Sequence, residues 1–387
     1  MIAGEGARPG GPAPRLARAD ERERLNALFA ELCAIPSPFG HERAVADRVA
    51  AELRDIGLTP EEDDAAEEAG AECGNLLARA GETPSVLLCA HLDTVGHDDL
   101  PIEPVLVDDG WENARPAILG ADNKAAVAVM LVAARRAVRE GRSFELLFTV
   151  CEEIGLAGTA AFDVAKLRSR FGYVFDHASP IGEVVVASPT FYRLTAEFHG
   201  KAAHAGIRPE DGRSAILAAA RAIAALELGR LDAETTANVG TIQGGAGGTN
   251  VVPERCRFLA ETRSLSTKRA EEQVAKMVDR IQDAANDPSC DVSVDVDVER
   301  LFTGYRHADD APPVLAAERA LERCGYRPTR IVTGGGSDAN ALEANGFQCT
   351  NLANGTERNH EPTERVSVAA LEGMLDVTLA LLEETAA

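Results

Sequence analysis

The sequence predicts a two-domain α/β protein, and three observations lead to that prediction. The 387 residues exceed the length at which a single hydrophobic core stops growing. Short apolar segments alternate with helix-period segments, a pattern typical of βαβ units around a largely parallel sheet. From about Pro189 the pattern changes to segments that alternate polar and apolar residues, as half-buried antiparallel strands do.

The elements of the first domain are predicted in two stretches of the chain. Before residue 189, we expect helices over 25–35, 42–56 and 122–139, and buried strands over 86–90, 146–150 and 172–175. After residue 301, we expect a helix over 311–325, a strand over 330–334 and a last helix over 366–384. Both stretches show the same alternation, so they are expected to form one α/β domain.

The middle of the chain predicts a separate α+β domain inserted between those stretches. Its strand segments are FYRLTAEFHG, TTANVGTIQG and CRFLAETRSL, and they are interleaved with helical segments over 213–228 and 268–285. The predicted boundaries are a disordered lead over 1–20, the first domain over 21–188 and 301–387, and the inserted domain over 189–300.

Net charge, cysteine content and the N-terminal segment indicate which partners and which cellular location to expect. The formal charge of −23, from 39 basic against 62 acidic residues, argues against nucleic acid, which requires clustered Lys and Arg. The eight cysteines contain no C-x-x-C pair, which favours a reducing cytoplasm. The N-terminal segment has no apolar region typical of a secretion signal, and no stretch has the length of a membrane span. We therefore expect a cytoplasmic protein with no nucleic-acid or membrane partner.

Polar side chains follow the predicted core strands at the points where those strands end. They are His91 and Asp93 in LLCAHLDTV, Asp122 in GADNKAA, Glu152 and Glu153 in TVCEEIG, Asp176 in VFDHAS and His360 in TERNHEP. Ligands of α/β folds bind beyond the carboxyl ends of the strands. Imidazoles and carboxylates from separate loops are the ligands that a two-zinc hydrolase uses.

Each of these features also has a plain structural explanation. Asp122 before an Ala-rich helix could be a helix N-cap, and Glu152 with Glu153 could be a solvated helix start. An H-x-D sequence such as His91 with Asp93 could be a hydrogen-bonded loop pair. Five such features at five strand ends, all in the first domain, favour a metal site over independent coincidences. Neighbouring side chains diverge on a chain that leaves a strand, so one glutamate can ligate while the other acts as a base.

These motifs resemble a known enzyme superfamily. The ordered set HLDTV, GADNKAAVA, EEIGLAGT, GKAAHAG and GGGSDANALEANG, followed by a late His, resembles the di-zinc metallopeptidases that include peptidase T, glutamate carboxypeptidase and aminoacylase. DHASPIGEVVVASPT and GGGSDANALEANGFQCTNLANG are most similar to the peptidase T-like (tripeptidase-like) branch, and the resemblance extends from Leu25 onward. It implies a three-layer α/β/α catalytic domain with an inserted α+β lid that forms a homodimer.

The resemblance implies a role for each residue at the strand ends. Two zinc ions per chain, for which cobalt or manganese could substitute, would share Asp122 as a bridging carboxylate. His91 and Asp176 would complete one zinc site, and Glu153 and His360 the other. Glu152 would take a proton from the water that bridges the ions. Asp93 would bind the second nitrogen of the His91 ring and fix its tautomer.

The resemblance also implies contacts with substrate from other segments. His204 in GKAAHAG would reach across a dimer as an oxyanion donor, although a packed turn histidine is the alternative. Asn250 in GGTNVVPE and Arg263 in AETRSLS match positions that bind substrate, and the Arg263 fork suits a free carboxylate. Arg263 could equally form an ion pair with Glu261 or Glu271. The Gly-rich GGGS, with Gly336 and Ser337, would let the backbone approach the substrate.

The sequence thus predicts a cytoplasmic two-zinc aminopeptidase of the peptidase T type that acts on short peptides. One alternative retains the metals and changes the substrate, as in an N-acyl amino acid deacylase or a carboxypeptidase-like enzyme. Another is a metal-binding protein without catalytic activity. Glu152 beside a full ligand set argues against the inactive protein, whereas peptidase and deacylase remain open alternatives at this point.

Overall fold

The computed structural model describes residues 16–96, 100–245 and 248–386. The first fifteen residues of the predicted disordered lead lie outside these ranges, and a helix begins at Ala19. The described residues form two compact units. Unit 1 comprises the described residues of Met1–Val186, His307–Val332 and Ser337–Ala387, and unit 2 those of Ala187–Arg306 and Thr333–Gly336.

Helices and strands alternate through both units. The helices are α1 (Ala19–Cys33), α2 (Arg43–Asp55), α3 (Ala66–Ala69), α4 (Ala121–Arg139), α5 (Ala157–Ala161), α6 (Ala215–Ala225), α7 (Thr267–Asn286), α8 (Pro312–Arg323), α9 (Asp338–Ala344) and α10 (Val368–Glu384). The strands are β1 (Glu61–Glu62), β2 (Leu76–Ala80), β3 (Leu87–His91), β4 (Pro104–Val107), β5 (Gly110–Asn113), β6 (Phe144–Thr149), β7 (Gly172–His177), β8 (Glu183–Ser188), β9 (Thr190–His199), β10 (Gly229–Arg230), β11 (Thr235–Gly244), β12 (Arg255–Ser264), β13 (Ser293–Phe302), β14 (Tyr305–Arg306), β15 (Thr329–Val332), β16 (Cys349–Ala353), β17 (Thr356–Glu357) and β18 (Arg365–Ser367).

The main sheet of unit 1 is mixed, whereas the sequence predicted a largely parallel sheet. Its strands follow the order β1-β2-β6-β3-β7-β16-β8, with β15 also paired to β8. The central strands β6, β3, β7 and β16 are parallel to one another, whereas β1, β2 and β8 pair antiparallel with their neighbours. Of the flanking strands, β8 contains the apolar run VVVA, which was not assigned to a strand from the sequence, whereas β1 consists of two glutamates. The parallel centre brings several strand carboxyl ends to one edge of the sheet.

Helices cover both faces of this sheet, which gives three layers. Leu88 and Ala90 of β3 lie in the core cluster that includes α4. Between them, Cys89 points to the opposite face, where its thiol lies 3.7 Å from Oδ2 of Asp338 at the start of α9. Because successive side chains of a strand alternate between faces, α4 and α9 lie on opposite sides of β3.

α1 starts six residues before the predicted helix, and a buried ion pair explains the difference. Glu21, in the charged first turn of α1, is buried and pairs through both carboxylate oxygens with the Arg136 guanidinium of α4. This turn is helical although it lacks the apolar periodicity on which the sequence prediction rested.

Unit 2 has its own sheet and its own core. Its antiparallel strands follow the order β10-β11-β12-β9-β13, and α6 and α7 pack on the sheet. The core between them includes Phe198, Phe258, Met277 and Ile281. The three segments predicted as antiparallel strands are β9, β11 and β12, and β13 is a further strand that the sequence analysis did not predict. β14 pairs with Ala187 and Ser188 at the end of β8.

A small four-stranded sheet, β17-β18-β5-β4, completes unit 1. It packs on α1 through Trp111 of β5, whose indole N–H donates to Oδ1 of Asn26 and whose ring meets Phe29 edge-on. β17 lies in the segment before His360, so this sheet helps to fix the position of that histidine. Among the described residues, no helix combines the length and apolarity needed to cross a membrane.

Candidate metal centre

Eight of the predicted site residues lie in unit 1, and five of them, His91, Asp93, Glu152, Glu153 and Asp176, lie at or near the carboxyl ends of its central strands. His91 ends β3, Asp176 lies near the end of β7, and Glu152 and Glu153 follow β6. Asp122 lies at the start of α4, where its backbone and that of Asn123 depart from helical angles. His360, with a φ of 67°, lies between β17 and β18.

The two carboxylate oxygens of Asp122 face two different groups of side chains. Oδ1 lies 3.4 Å from Nε2 of His91, which is itself 3.7 Å from Oδ1 of Asp176. Oδ2 lies 3.4 Å from Nε2 of His360, which is 3.1 Å from Oε1 of Glu153. His91, Asp122 and Asp176 therefore form one cluster of donors, and Asp122, Glu153 and His360 form a second. The structure brings together all five predicted ligands.

The spacing within both clusters suits a metal ion better than direct hydrogen bonds. Ligand atoms about 2.1 Å from a tetrahedral zinc ion are about 3.4 Å from one another, close to the distances in both clusters. Oδ1 of Asp122 and Oε1 of Glu153 are buried, yet neither accepts a hydrogen bond of ordinary geometry. Buried carboxylate oxygens without donors require a compensating cation or a proton. The residues present therefore fit a pair of divalent cations.

The electrostatics of the cluster also reflect its excess of carboxylates. Burial raises the pKa of Asp176, and the charge of Asp122 adds to the shift. The nearby carboxylates of Asp122 and Glu153 raise the pKa of His360 to about 10. Burial lowers the pKa of His91, but its contacts with Asp122, Asp176 and Asp93 outweigh burial and raise it. Both histidines thus have pKa values shifted by the negative charge that surrounds them.

Glu152 lies beside the two clusters without completing either. Its carboxylate comes within 4.8 Å of the ligand atoms of His91 and Glu153. Burial raises the pKa of Glu152, and the charge of Asp176 raises it further. A carboxylate with a raised pKa, adjacent to a metal centre, has the properties of a general base.

Asp93 makes further contacts beyond the one with His91 that the resemblance implied. Nδ1 of His91 lies 3.0 Å from the backbone carbonyl oxygen of Asp93, and 3.5 Å from its carboxylate oxygen Oδ1. The carboxylate instead accepts the backbone N–H groups of Glu152, at Oδ1, and Glu153, at Oδ2, both at 3.0 Å. Asp93 therefore orients His91 chiefly through its main chain, and its side chain fixes the backbone of both glutamates.

Two further residues contact the centre, and the sequence analysis did not select them. Nδ2 of Asn359 donates to Oδ2 of Asp122 at 2.8 Å. Glu364 is buried, and its carboxylate accepts backbone N–H groups of the turn that leads to Asp122. Burial raises the pKa of Glu364 to about 7, although those N–H groups lower it. The available signal was position alone, since both residues lie within four residues of His360.

Asp338 occupies a buried position on the other face of β3. Its carboxylate accepts the hydroxyls of Thr149 and Thr159, each at 2.5 Å. The preceding Ser337 is buried, and its backbone N–H donates to Oδ1 of Asn340 in the first turn of α9. Ser337 thus lies at the N-terminus of α9.

His204, Asn250, Arg263 and Gly336 belong to unit 2. The His204 and Asn250 segments are adjacent, since His204 forms a bridge with Val251 and the Asn250 carbonyl accepts the N–H of Ala205. A side chain at Gly336 would overlap the ring of Phe302, with a Cβ only 2.3 Å from it. A larger residue at this position would therefore force the Phe302 ring to move.

Arg263 is engaged within unit 2. Its guanidinium bonds the Glu261 carboxylate at 3.1 and 3.3 Å and the Gly334 carbonyl at 3.0 Å, and it stacks on the Phe191 ring. The ion pair with Glu261, one of the alternatives drawn from the sequence, is present. A substrate carboxylate at this position would have to compete with Glu261.

Family models match one segment in each unit. Residues 75–180, which carry six of the seven residues predicted at strand ends, match the model described as peptidase family M28. Residues 190–288 match the model described as the peptidase dimerisation domain.

Full-length comparisons agree with these matches. The Bacillus subtilis (strain 168) protein YqjE, described as uncharacterized, is 35% identical over 94% of this chain and 99% of its own length. The crystal structure of aminopeptidase PepT from Bacillus cereus is 36% identical, with a TM-score of 0.84, over 95% of this chain and 99% of that one. A tripeptidase structure from Staphylococcus aureus is 31% identical, with a TM-score of 0.88, over 94% and 98%. These matches confirm the predicted fold class and enzyme class, and the chain belongs to the superfamily of metal-dependent peptidases that contains peptidase T.

Proposed function

We propose that this metallopeptidase uses two zinc ions to remove the N-terminal residue from short peptides. The observation that carries the proposal is the division of the two Asp122 oxygens between two histidine-containing clusters. A carboxylate in that position can bridge two cations. Similarity to proteins whose titles name an aminopeptidase and a tripeptidase supports the substrate class. Nitrogen and carboxylate ligands favour zinc, and cobalt or manganese would be accepted by the same donors.

The proposed ligand sets are those predicted from the sequence. His91 and Asp176 would hold one ion and Glu153 and His360 the other, with Asp122 common to both. When bound, the ions would polarise the scissile carbonyl and lower the pKa of water towards about 7. Proton transfer, stabilisation of the oxyanion and binding of the peptide would be carried out by side chains of the protein.

Glu152 is the proposed general base and then the general acid. Its carboxylate would take a proton from the attacking water and deliver it to the departing amine nitrogen. The raised pKa of Glu152 suits both steps, because the group can hold the proton between them. Asp93 would keep Glu152 aligned by holding its backbone N–H.

We further propose that the enzyme works as a homodimer formed through unit 2. The match to a peptidase dimerisation domain supports this assembly. Unit 2 also exposes apolar side chains on α6 and β11, with Ile216 38%, Leu217 43% and Ile242 50% exposed. On the side of β11 that faces away from β12, β10 pairs only with Thr236 and Ala237. The rest of that edge, in the described part of β11, is free to pair with a strand of another subunit. His204 would then act as an oxyanion donor in the partner's site.

Asn250, Arg263, Gly336 and Ser337 remain the proposed substrate contacts. Arg263 would bind the free C-terminal carboxylate of a peptide, with Glu261 holding the guanidinium in place before substrate arrives. The cytoplasmic location predicted from the cysteines is consistent with this substrate class, and the described cysteines are free thiols.

A substrate screen tests the proposed activity and separates it from deacylation. Zinc-loaded protein would be assayed for release of free amine from dipeptides, tripeptides, N-acetyl tripeptides and N-acyl amino acids. We expect cleavage of free tripeptides and little cleavage of the blocked substrates. A Glu152→Gln sample purified in parallel controls for contaminating peptidases. Preferential cleavage of N-acyl amino acids would instead identify a deacylase with the same metal centre.

A further inference from the structure

The buried carboxylate of Glu364 caps the start of α4 from a distant part of the chain. Its Oε2 accepts the backbone N–H groups of Leu119 and Gly120, both at 2.8 Å. Its Oε1 accepts the N–H of Asp122 at 2.9 Å. Glu364 is only 2% exposed, so these bonds lie out of water. One carboxylate thus fixes three amides in the turn that carries the proposed bridging ligand.

The turn needs such a partner because α4 begins irregularly. Gly120 adopts a left-handed conformation with a φ of 75°, and Asp122 has a ψ of 105°, outside the helical range. The first N–H groups of a helix have no acceptor within the helix itself. In many helices a side chain of the N-cap residue supplies one, but the N-cap here is Gly120. Glu364 supplies an acceptor for the N–H of Asp122, and it also accepts the N–H groups of Leu119 and Gly120 just before the helix.

This arrangement also explains why Asp122 is free to face two clusters. The sequence left open the alternative that Asp122 is itself an N-cap, in which case one of its oxygens would be occupied by a backbone N–H. The α4 N-terminus has no such side-chain bond. Because Glu364 takes the N–H groups, both oxygens of Asp122 point towards the histidines.

The same carboxylate connects Asp122 to the segment that carries His360. The N–H of Glu361 bonds the carbonyl of Arg358 at 3.1 Å, and the N–H of Glu364 bonds that of Glu361 at 3.0 Å. His360 therefore lies within two successive turns over 358–364. The last residue of this segment, Glu364, accepts the hydrogen bonds from the turn that leads to Asp122. A shift of either segment would therefore move Asp122 and His360 relative to each other.

We propose that Glu364 is a positioning residue that sets the geometry of Asp122 relative to His360 and so sets the affinity of the metal centre. The inference rests on the proposed two-metal function. Glu364 contacts no metal and no substrate in this role. Its chemistry suits the task, because an ionised carboxylate only accepts hydrogen bonds, and all three groups it meets are donors. In Glu364→Gln, the side-chain N–H₂ group would face at least one of those backbone N–H groups. Two donors would then face each other, and that hydrogen bond would be lost.

The experiment measures zinc affinity of the full-length protein by competition with a chromophoric chelator, with zinc alone as the probe. In Glu364→Gln we expect zinc affinity to fall about 10–100-fold, as when an outer partner of a metal ligand is removed. Glu361→Gln is the matched control, since it removes one charge from the same turn without touching Asp122. It should bind zinc as wild type does.

A second control separates positioning from a general loss of stability. Glu21→Gln breaks the buried pair with Arg136 and should lower the melting temperature of the metal-free protein without changing zinc affinity. Glu364→Asp retains the charge but withdraws the carboxylate, and it serves as the second variant if Glu364→Gln does not fold. Its zinc affinity should also fall.

The inference is overturned if Glu364→Gln or Glu364→Asp binds zinc as tightly as wild type, or if Glu21→Gln loses as much affinity as they do. In both cases wild type would still bind two zinc ions, so the proposed function would stand. A wild-type protein that binds no zinc would overturn the proposed function itself, and with it this role for Glu364.

Discussion

The Oδ1 atom of Asp93 accepts a 3.0 Å hydrogen bond from the backbone N–H of Glu152. Oδ2 does the same for the next residue, Glu153. The proposed base and one proposed ligand are therefore held in register by a single buried side chain. If Glu152 is the base and Glu153 a ligand, Asp93 should influence both catalysis and metal binding without taking part in either directly.

Asp93→Asn should impair both properties together. The amide can accept one of the two backbone N–H groups, but its own N–H₂ group opposes the other. A hydrogen bond to a charged group is worth about 1.5–3 kcal/mol, which corresponds to roughly 10–150-fold in affinity or rate. Metal content by elemental analysis and kcat on a tripeptide would both be measured. Wild-type values for both would show that the Asp93 side chain has no positioning role.

Glu152→Gln and Glu153→Gln should separate catalysis from metal binding. The first variant retains shape and removes the base, so metal content should persist while kcat falls by roughly 10²–10⁴. The second removes a proposed ligand, so metal occupancy should fall. Each variant serves as the control for the other, since they differ by one position. If Glu153→Gln retained the metal and Glu152→Gln lost it, the two roles would have to be exchanged.

Arg263→Lys tests whether this residue binds the substrate carboxylate. Lysine replaces a bidentate fork with a point charge, so KM for free tripeptides should rise about 10–100-fold while C-terminal amides are spared. Glu261→Gln is the matched control, because it removes the partner that now holds Arg263. Equal losses on peptides and their amides would assign Arg263 to the structure of unit 2.

A mixing experiment tests whether His204 serves the partner's site. Glu152→Gln and His204→Ala homodimers should each be nearly inactive, the second because an oxyanion donor contributes about 10²–10³ in kcat. Refolded as a mixture, half the dimers are mixed and each has one intact site, so activity should recover to about a quarter of wild type. A mixture with verified heterodimers but no recovered activity would show that His204 does not act across the dimer.

The residues that the structure brings together could be selected from the sequence because the relevant signal is local. His91, Asp176 and the Glu152–Glu153 pair follow apolar strand segments, and the carboxyl ends of parallel strands meet at one edge. The predicted strand and helix positions were accurate to within a few residues in most elements. Buried apolar runs therefore carry most of the information about where the site lies.

The contacts that hold the centre in place were not predictable in the same way. Glu364 is 242 residues from Asp122 in the chain, and no local pattern links them. The Asp93 carboxylate lies 3.5 Å from the His91 ring nitrogen, as expected, but it also accepts two amides whose position depends on how β3 and β6 align. Every residue except proline has the same backbone N–H group. A side chain that accepts a hydrogen bond from the backbone therefore has no partner that can be recognised in the sequence.

Anomalous diffraction at the zinc edge from zinc-loaded crystals tests the central claim most directly. The account predicts two peaks about 3.5–4 Å apart, one beside His91 and Asp176 and the other beside Glu153 and His360, with Asp122 between them. In Asp122→Asn crystals prepared in the same way, most of both peaks should be lost. A wild-type crystal with no zinc at these residues, or with a single ion that Asp122 does not contact, would contradict the account.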